Sequence, residues 1–399
     1  QNEPPSQQYY QKLYKTKAIH QVEVTMTQDI LVFDPLTTNE HYEIDIQTSI
    51  IIKAQHPSGV FNAFKTLVQM IVQRGNEYII NGVTIKDYPA LPWRHFQVDL
   101  CSQYHEDRDV INYIDYAAVQ KLNVLIVQLS CKHFTIPIMQ LKHATHTKFH
   151  YYDRFQIQKW QNYARSRGVL VVPQIPLPTQ TSWFSFMNLT KECAGEQILD
   201  LQSDLIYANI KSVLQRIAEY FSTQYVHLGG ERFQSDCFNN SQQILTDFYN
   251  QIQKIGNELN LKLIFNDYFY SAKLQLNGKN MIHFVSGSTQ RSDRALHAWD
   301  LDEMHPNDGF NYFYADSWRD LYKMQYGKST IGGGVQISSK FCNGQSCLQH
   351  AFRGVAISQV LWKNKNGDPS EIQQEIEQFN CVLMRMGLGH GTYDSNPPC

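Results

Sequence analysis

Apolar and polar residues alternate along residues 22–32 and again along 41–53, the period of half-buried strands. His56-Pro57-Ser58-Gly59 then breaks the chain. Val60, Phe64, Leu67, Val68 and Ile71 follow at helical spacing, which predicts an amphipathic helix carrying them on one stripe. Residues 78–85 read as a further strand pair around Asn81-Gly82. Lys86-Asp87-Tyr88-Pro89 and Leu91-Pro92 punctuate the exit and set a domain boundary near residue 90. Residues 1–20 are polar and rich in Gln, and read as a loosely held lead-in arm.

Beyond residue 90 the pattern changes. Short β-rich runs at 95–100, 123–128, 169–175, 225–229, 261–266, 281–285, 310–315 and 331–337 alternate with helical stretches. Helices are expected at 107–122, 153–167, 204–221, 242–259, 347–362 and 370–386. Within 204–221, Leu205, Ile206, Ile210, Val213, Leu214 and Ile217 share one face. Strands at this spacing pair in parallel with both faces covered. Eight of them over about 300 residues predict a closed barrel. The expected architecture is α/β: a small α/β domain with its arm over residues 1–90, then a (β/α)8 TIM barrel over 91–399.

Composition narrows the function. Apolar residues make up 42% of the 399 and aromatics 13%, enough for a large core. The net charge is −2 and the charged fraction 18%, which argues against nucleic acid as a partner. No apolar run approaches the roughly 20 residues that span a bilayer. The chain starts at Gln1 without a basic and apolar leader, the form expected of a mature chain. The eight cysteines include no Cys-x-x-Cys pair and no Cys/His group with zinc spacing, so neither a metal nor a cofactor is expected. An even cysteine count with two sequons, at Asn188 and Asn239, favours a secreted protein or one in the lumen of the secretory or lysosomal pathway.

Two stretches are specific enough to carry a resemblance. The first is Tyr225-Val226-His227-Leu228-Gly229-Gly230-Glu231-Arg232; the second is Tyr163-Ala164-Arg165-Ser166-Arg167-Gly168 running into Val169-Leu170-Val171-Val172-Pro173. They resemble the fourth barrel strand, His-x-Gly-Gly-Asp-Glu, and the helix-to-third-strand junction of family 20 glycoside hydrolases, the β-N-acetylhexosaminidases. Gly59 to Met70, Asp87-Tyr88-Pro89 with Arg94 and Asp99, Asn123-Val124-Leu125 and Ile331-Gly332-Gly333 agree in order and spacing.

In that family the substrate's acetamido group is the nucleophile, a Glu is the acid, and a neighbouring Asp orients the acetamido group. The resemblance puts Glu231 at the Asp position and Arg232 at the acid position. A guanidinium has no proton to give at useful pH. After the second strand the family's His-x-His-x-x-Asp-Asp is replaced by Ile126-Val127-Gln128-Leu129-Ser130-Cys131-Lys132. After the third, Glu-x-Asp-x-Pro-Gly-His is replaced by Gln174-Ile175-Pro176-Leu177-Pro178-Thr179-Gln180. Ser338 and Lys340 stand where a Trp and a Glu line the family's pocket, and Phe265 where it has another Trp.

What persists by resemblance is Arg94 and Asp99, and Tyr314 with Asp316, read as following the seventh strand; with Asp267 these are the sugar-binding candidates. The plainer reading makes Arg94 and Asp99 braces of the barrel rim. Likewise Tyr314 and Asp316 become pocket filling, Glu231 and Arg232 an ion pair, Trp183 and Trp318 rim packing rather than sugar platforms, and His133 loop decoration. A buried Arg232 needs a carboxylate, and Asp267 or Asp316 is the favoured one.

The resemblance pairs Cys193 with Cys237 and Cys381 with Cys399. Cys342 and Cys347 are close enough in sequence to close a small loop, and Cys101 and Cys131 follow neighbouring strands. The reading is a non-hydrolytic hexosaminidase relative with a structural or adhesive role, partnered by protein or by a second copy. The alternatives are a lectin-like binder of N-acetylhexosamine glycans and an active hexosaminidase using Glu231 as its acid.

Overall fold

The computed structural model describes residues 18–28, 32–131, 133–137, 151–179, 181–193, 195–229, 237–266, 269, 274–285, 295–300, 318–323, 330–337, 354–363 and 367–388. The chain divides into a small unit, residues 1–32 and 38–88, and a large unit, residues 33–37 and 89–399.

The small unit holds a four-stranded sheet of order β1-β3-β2-β6, formed by β1 (Val22–Met26), β2 (Tyr42–Ile46), β3 (Ile50–Ala54) and β6 (Val83–Asp87). One helix, α1 (Pro57–Met70), packs on it. Alternation explains the sheet: Tyr42, Ile44 and Ile46 are buried while Glu43 and Asp45 are not. Helix α1 starts where the His56 side chain accepts from the Ser58 N–H and Pro57 occupies the first turn.

The helix's buried face corrects the expected stripe. Ser58, Gly59, Asn62, Ala63 and Leu67 are buried, whereas Phe64, Val68 and Ile71 are exposed. The reason is close approach: a Cβ on Gly59 would lie 2.6 Å from the His41 carbonyl oxygen, so the contact needs small residues. Asn62 adds a hydrogen bond to the buried Glu40 carboxylate. The hairpin is also displaced from the expected Asn81-Gly82. It joins β4 (Val72–Arg74) to β5 (Glu77–Ile79) through Gly75, whose φ of 63° is costly for any other residue.

The large unit is a closed barrel of eight parallel strands: β7 (Trp93–Asp99), β8 (Val124–Gln128), β9 (Leu170–Gln174), β12 (Tyr225–His227), β13 (Lys262–Asn266), β14 (Met281–Val285), β15 (Ala295–Asp300) and β16 (Thr330–Ile337). A side ribbon of β10 (Thr190–Cys193) and β11 (Glu196–Leu199) is inserted after β9. The described helices around the barrel are α2 (Asp107–Val119), α3 (Arg154–Arg165), α4 (Leu205–Tyr220), α5 (Ser241–Glu258), α6 (Trp318–Lys323), α7 (Gly354–Lys363) and α8 (Gln373–Arg385).

The seventh strand is a correction. It was expected at 310–315, which lies outside the described residues; residues 295–300 take the place between β14 and β16.

Strand alternation sorts the barrel's residues into two sets. Trp93, Val124, Ile126, Val172, Tyr225, Ile264 and Met281 form the inner cluster, and Phe96, Val98, Leu125, Val127, Val171, Leu263 and Phe265 join the layer beneath the helices. The glycines of β16 make room inside: a Cβ on Gly334 would lie 2.6 Å from Cδ2 of His95. At the strands' N-terminal end, residues 33–37 cover the interior. Leu36 packs on the inner cluster, and the Asp34 carboxylate accepts from the Tyr225 hydroxyl at 2.9 Å and from Lys262 Nζ at 2.7 Å.

The motif at 163–173 has a local explanation. Asp115 on α2 accepts from the Tyr163 hydroxyl at 2.8 Å and from Arg167 Nε at 2.6 Å. Gly168, with φ 72°, turns the chain out of α3 and into β9.

Candidate functional site at the barrel mouth

Ligand sites of (β/α)8 barrels lie at the C-terminal ends of the strands. Inward positions there follow from alternation: Gln97 and Asp99 on β7, Gln128 on β8, Gln174 on β9, Asn266 on β13 and Gln336 on β16. Register places them side by side, with Gln97 opposite Gln336, Asp99 opposite Gln128, and Gln128 opposite Gln174. Five of these six side chains are amides. Asp300 ends β15 opposite Gln336.

Three of the amides are buried with an oxygen that has no partner among the described residues: Gln97 Oε1, Gln174 Oε1 and Asn266 Oδ1. Buried polar atoms are nearly always satisfied, so these oxygens take a donor from water, from a ligand or from residues beyond the described ones. Asp99 is differently placed. Its Oδ1 accepts the backbone N–H groups of Cys101 at 2.8 Å and Ser102 at 3.0 Å, which fixes the turn leaving β7.

The rim is stapled. Cys101 and Cys131 are disulfide-bonded with Cα atoms 5.8 Å apart, joining the segments after β7 and β8. Cys193 and Cys237 are bonded at the same Cα separation and tie the β10–β11 ribbon to the start of the α5 segment. Both pairs are as expected. Cys381 is disulfide-bonded too; its expected partner Cys399 lies outside the described residues, as do Cys342 and Cys347. Among the described residues no cysteine is free.

Below the amides, three fully buried imidazoles line the interior among the described residues: His95, His227 and His283. The Gly229 N–H donates to His227 Nδ1 at 3.0 Å. That leaves the proton of a neutral ring on Nε2, which donates to His283 Nδ1 at 2.7 Å. Gly229 must be glycine: its φ is 56°, and a Cβ would lie 3.0 Å from Pro176 Cα. His227 therefore helps to hold the point where the chain leaves β12 toward Glu231 and Arg232.

Residues 91–321 match the sequence model of the glycosyl hydrolase family 20 catalytic domain, and residues 2–88 that of the same family's domain 2. The chain belongs to glycosyl hydrolase family 20. Among curated proteins it is 24% identical to beta-hexosaminidase subunit A1 of Dictyostelium discoideum, over 89% of this chain and 76% of that one. It is 22% identical to the human beta-hexosaminidase subunit beta, over 92% and 74% of the two chains. Its fold matches a β-N-acetylhexosaminidase from Bacteroides fragilis with a TM-score of 0.77 at 18% identity, covering 93% of this chain and 85% of that one. The Streptomyces coelicolor β-N-acetylhexosaminidase gives a TM-score of 0.75 at 18% identity, covering 94% and 86%.

Within this family 20 barrel, the expected site residues part company. Arg94 is not at the mouth. Trp93 and His95 point inward, so Arg94 points outward, and it does so at the barrel's other end. Its Nε donates to the Lys121 carbonyl at 2.9 Å, and its Nη1 to those of Leu91 and Pro92 at 3.0 and 3.1 Å. The guanidinium sits over the Trp362 ring. It is a brace and cannot grip a sugar held at the mouth.

Asp99 and Gln174 are at the mouth. Glu231, Arg232, Asp267, Tyr314, Asp316, Ser338 and Lys340 lie outside the described residues. Because β15 ends at Asp300, Tyr314 and Asp316 do not directly follow the seventh strand. Trp183 is fully buried against Phe184 and Phe134, and Trp318 is buried, so both pack rather than offer a platform. Asn188 and Asn239 are exposed, as glycan acceptors must be. Among the described residues no group of three or more His, Cys, Asp or Glu is arranged to hold a metal ion, and no helix is long and apolar enough to cross a membrane.

Sequence reasoning passed over Gln97, Asn266, Gln336, His95 and His283. The signal was available. Once a strand's register is known, a polar residue at every second position of an apolar run marks the interior.

Proposed function

We propose that this family 20 chain does not hydrolyse glycosides, and that its role is structural or adhesive in a secreted or lumenal assembly with a protein partner or a second copy. The observation that carries the proposal is the chemistry of the mouth. By resemblance Gln174 stands at the family's Glu position, and five of the six described inward side chains at the mouth are amides, with Asp99 the sixth. An amide oxygen accepts hydrogen bonds but has no proton to transfer, and general acid–base catalysis is worth about 10²–10⁴ in rate. The sequence adds Arg232 at the acid position, where a fixed cation opposes an oxocarbenium-like transition state. The test is hydrolysis of aryl β-N-acetylglucosaminides and galactosaminides by the purified protein. No turnover above a blank is expected. Turnover abolished by Glu231→Gln would overturn the proposal in favour of an enzyme using Glu231 as its acid.

The oxygens of Gln97, Gln174 and Asn266, without a partner among the described residues, favour a second reading, a lectin-like site for N-acetylhexosamine glycans. Hydroxyl and acetamido N–H groups are the donors such oxygens accept. Asp99, whose Oδ1 also holds the turn leaving β7, and Asp267, named from the sequence, are the carboxylate candidates for the same ligand. Glycan-array binding weakened by Gln174→Leu separates this reading from a purely structural role.

A further inference from the structure

The three imidazoles inside the barrel form a directional hydrogen-bonded set. Trp93 Nε1–H donates to His95 Nδ1 at 3.2 Å, Gly229 N–H donates to His227 Nδ1, and His227 Nε2–H donates to His283 Nδ1. In every ring the nitrogen that would take a second proton already faces a donor. Protonating any of the three sets two N–H groups against each other. The rings also pack on one another: His283 lies edge-on to His95 at 4.8 Å and to His227 at 5.0 Å between centroids. A second cation in the set would be repelled by the first at contact distance.

A hydrogen bond with the Gly333 backbone favours a charged His95 ring, but burial and the adjacent His227 outweigh it. The other described inward side chains of these strands include apolar Val124 and Ile126 of β8, Val172 of β9, Ile264 of β13 and Met281 of β14, and Gly334 of β16 lies against His95. The charged and titratable groups of the described interior lie toward its ends. Asp34, Lys262 and Tyr225 are bonded to one another at one end, and Asp99 is bonded to backbone N–H groups at the other.

We propose that this three-histidine core makes the barrel acid-labile, so that the chain holds its fold near neutral pH and opens on acidification. The unfolded chain takes up protons that the packed rings refuse. Burial, and for His95 the adjacent His227, push both rings down to about 3. An unfolded histidine titrates near 6.5. Between those values the unfolded state holds about two more protons than the folded one. Each added proton makes the unfolding constant rise about tenfold per pH unit of fall, hence about 100-fold for two. The native range would be a near-neutral fluid rather than an acidified compartment, whichever reading of the mouth is right.

Two measurements test this on the whole chain. In the first, imidazole C–H resonances of the native protein are followed by NMR from pH 7.5 to 5. Those of His95 and His227 are expected not to move; titration of either near pH 6.5 in the folded protein overturns the proposal. In the second, urea unfolding is measured over the same range for the native chain and for His95→Gln/His227→Asn, whose side-chain oxygens still accept from Trp93 and Gly229. Below pH 6 the native chain's unfolding constant should rise more steeply than the variant's, by a factor approaching 100 per pH unit. Equal pH dependence overturns the proposal, and if the variant fails to fold, the NMR titration alone decides.

Discussion

Arg94 carries its guanidinium 5.0 Å from the centre of the Trp362 ring, clasping α7 to the barrel end opposite the mouth. Three backbone carbonyls take its N–H groups, so its energetic role is to satisfy buried acceptors. Arg94→Ala is therefore expected to cost about 2–4 kcal/mol of stability by denaturant unfolding. Arg94→Lys should recover little, because an ammonium cannot reproduce the planar fork. Any glycan binding should survive in whatever fraction stays folded. Lost binding at unchanged stability would return Arg94 to the site.

Asp34 gives a second, pH-dependent test. Burial alone would raise its carboxyl. The hydrogen bond from Lys262, with those from the Leu36 N–H and the Tyr225 hydroxyl and the charge of Lys262, outweighs burial and holds it below the ordinary value. A carboxyl depressed on folding contributes stability that is complete above its unfolded pKa of about 3.9 and is lost as pH falls through the folded value. Asp34→Asn should cost about 1–3 kcal/mol at pH 7. The gap between native chain and variant should close only below about pH 4. A gap that stays constant down to pH 2 would show that the carboxylate's charge is irrelevant.

Gly334 is a third point of commitment. An alanine there would drive its Cβ into the His95 carbonyl and ring. The strands β7 and β16 cannot separate to admit it without opening the barrel. Gly334→Ala should cost about 3 kcal/mol or more, or abolish soluble expression. Gly367→Ala, where a Cβ meets nothing within 4 Å, is the matched control. Equal melting temperatures for the two variants would contradict the packing described.

The barrel was legible in the chain because runs such as Val124–Gln128 and Lys262–Asn266 combine β-branched and aromatic residues with turn signals at either end. The seventh strand was misread for the same reason. Residues 310–315 are aromatic and look like a strand, whereas Ala295–Asp300 carries Ala and Leu, good helix formers. Closure of the barrel overrides that local preference. Arg94 was misplaced because a family pattern gives an identity without a direction, and direction is set by whether Trp93 or its neighbour faces inward. The stripe Phe64, Val68 and Ile71 was visible, but what packs on the sheet was decided by the smallness of Gly59 and Ala63. The amide ring was hidden because its members are far apart in sequence and only register makes them neighbours.

Residues 33–37 have a consequence for anyone who divides this protein. The chain lays the floor of the barrel before it builds any wall, then leaves to complete another unit and returns after residue 88. A fragment starting at residue 91 would contain every strand of the barrel and still lack its base. The inner cluster would lose Leu36, and Lys262 would keep its charge without Asp34. Such a fragment should be soluble only if residues 33–37 are supplied, joined ahead of Trp93 or added as a separate peptide. Each unit is thus discontinuous in sequence or interrupted by the other, and the gene offers no single place to cut between them.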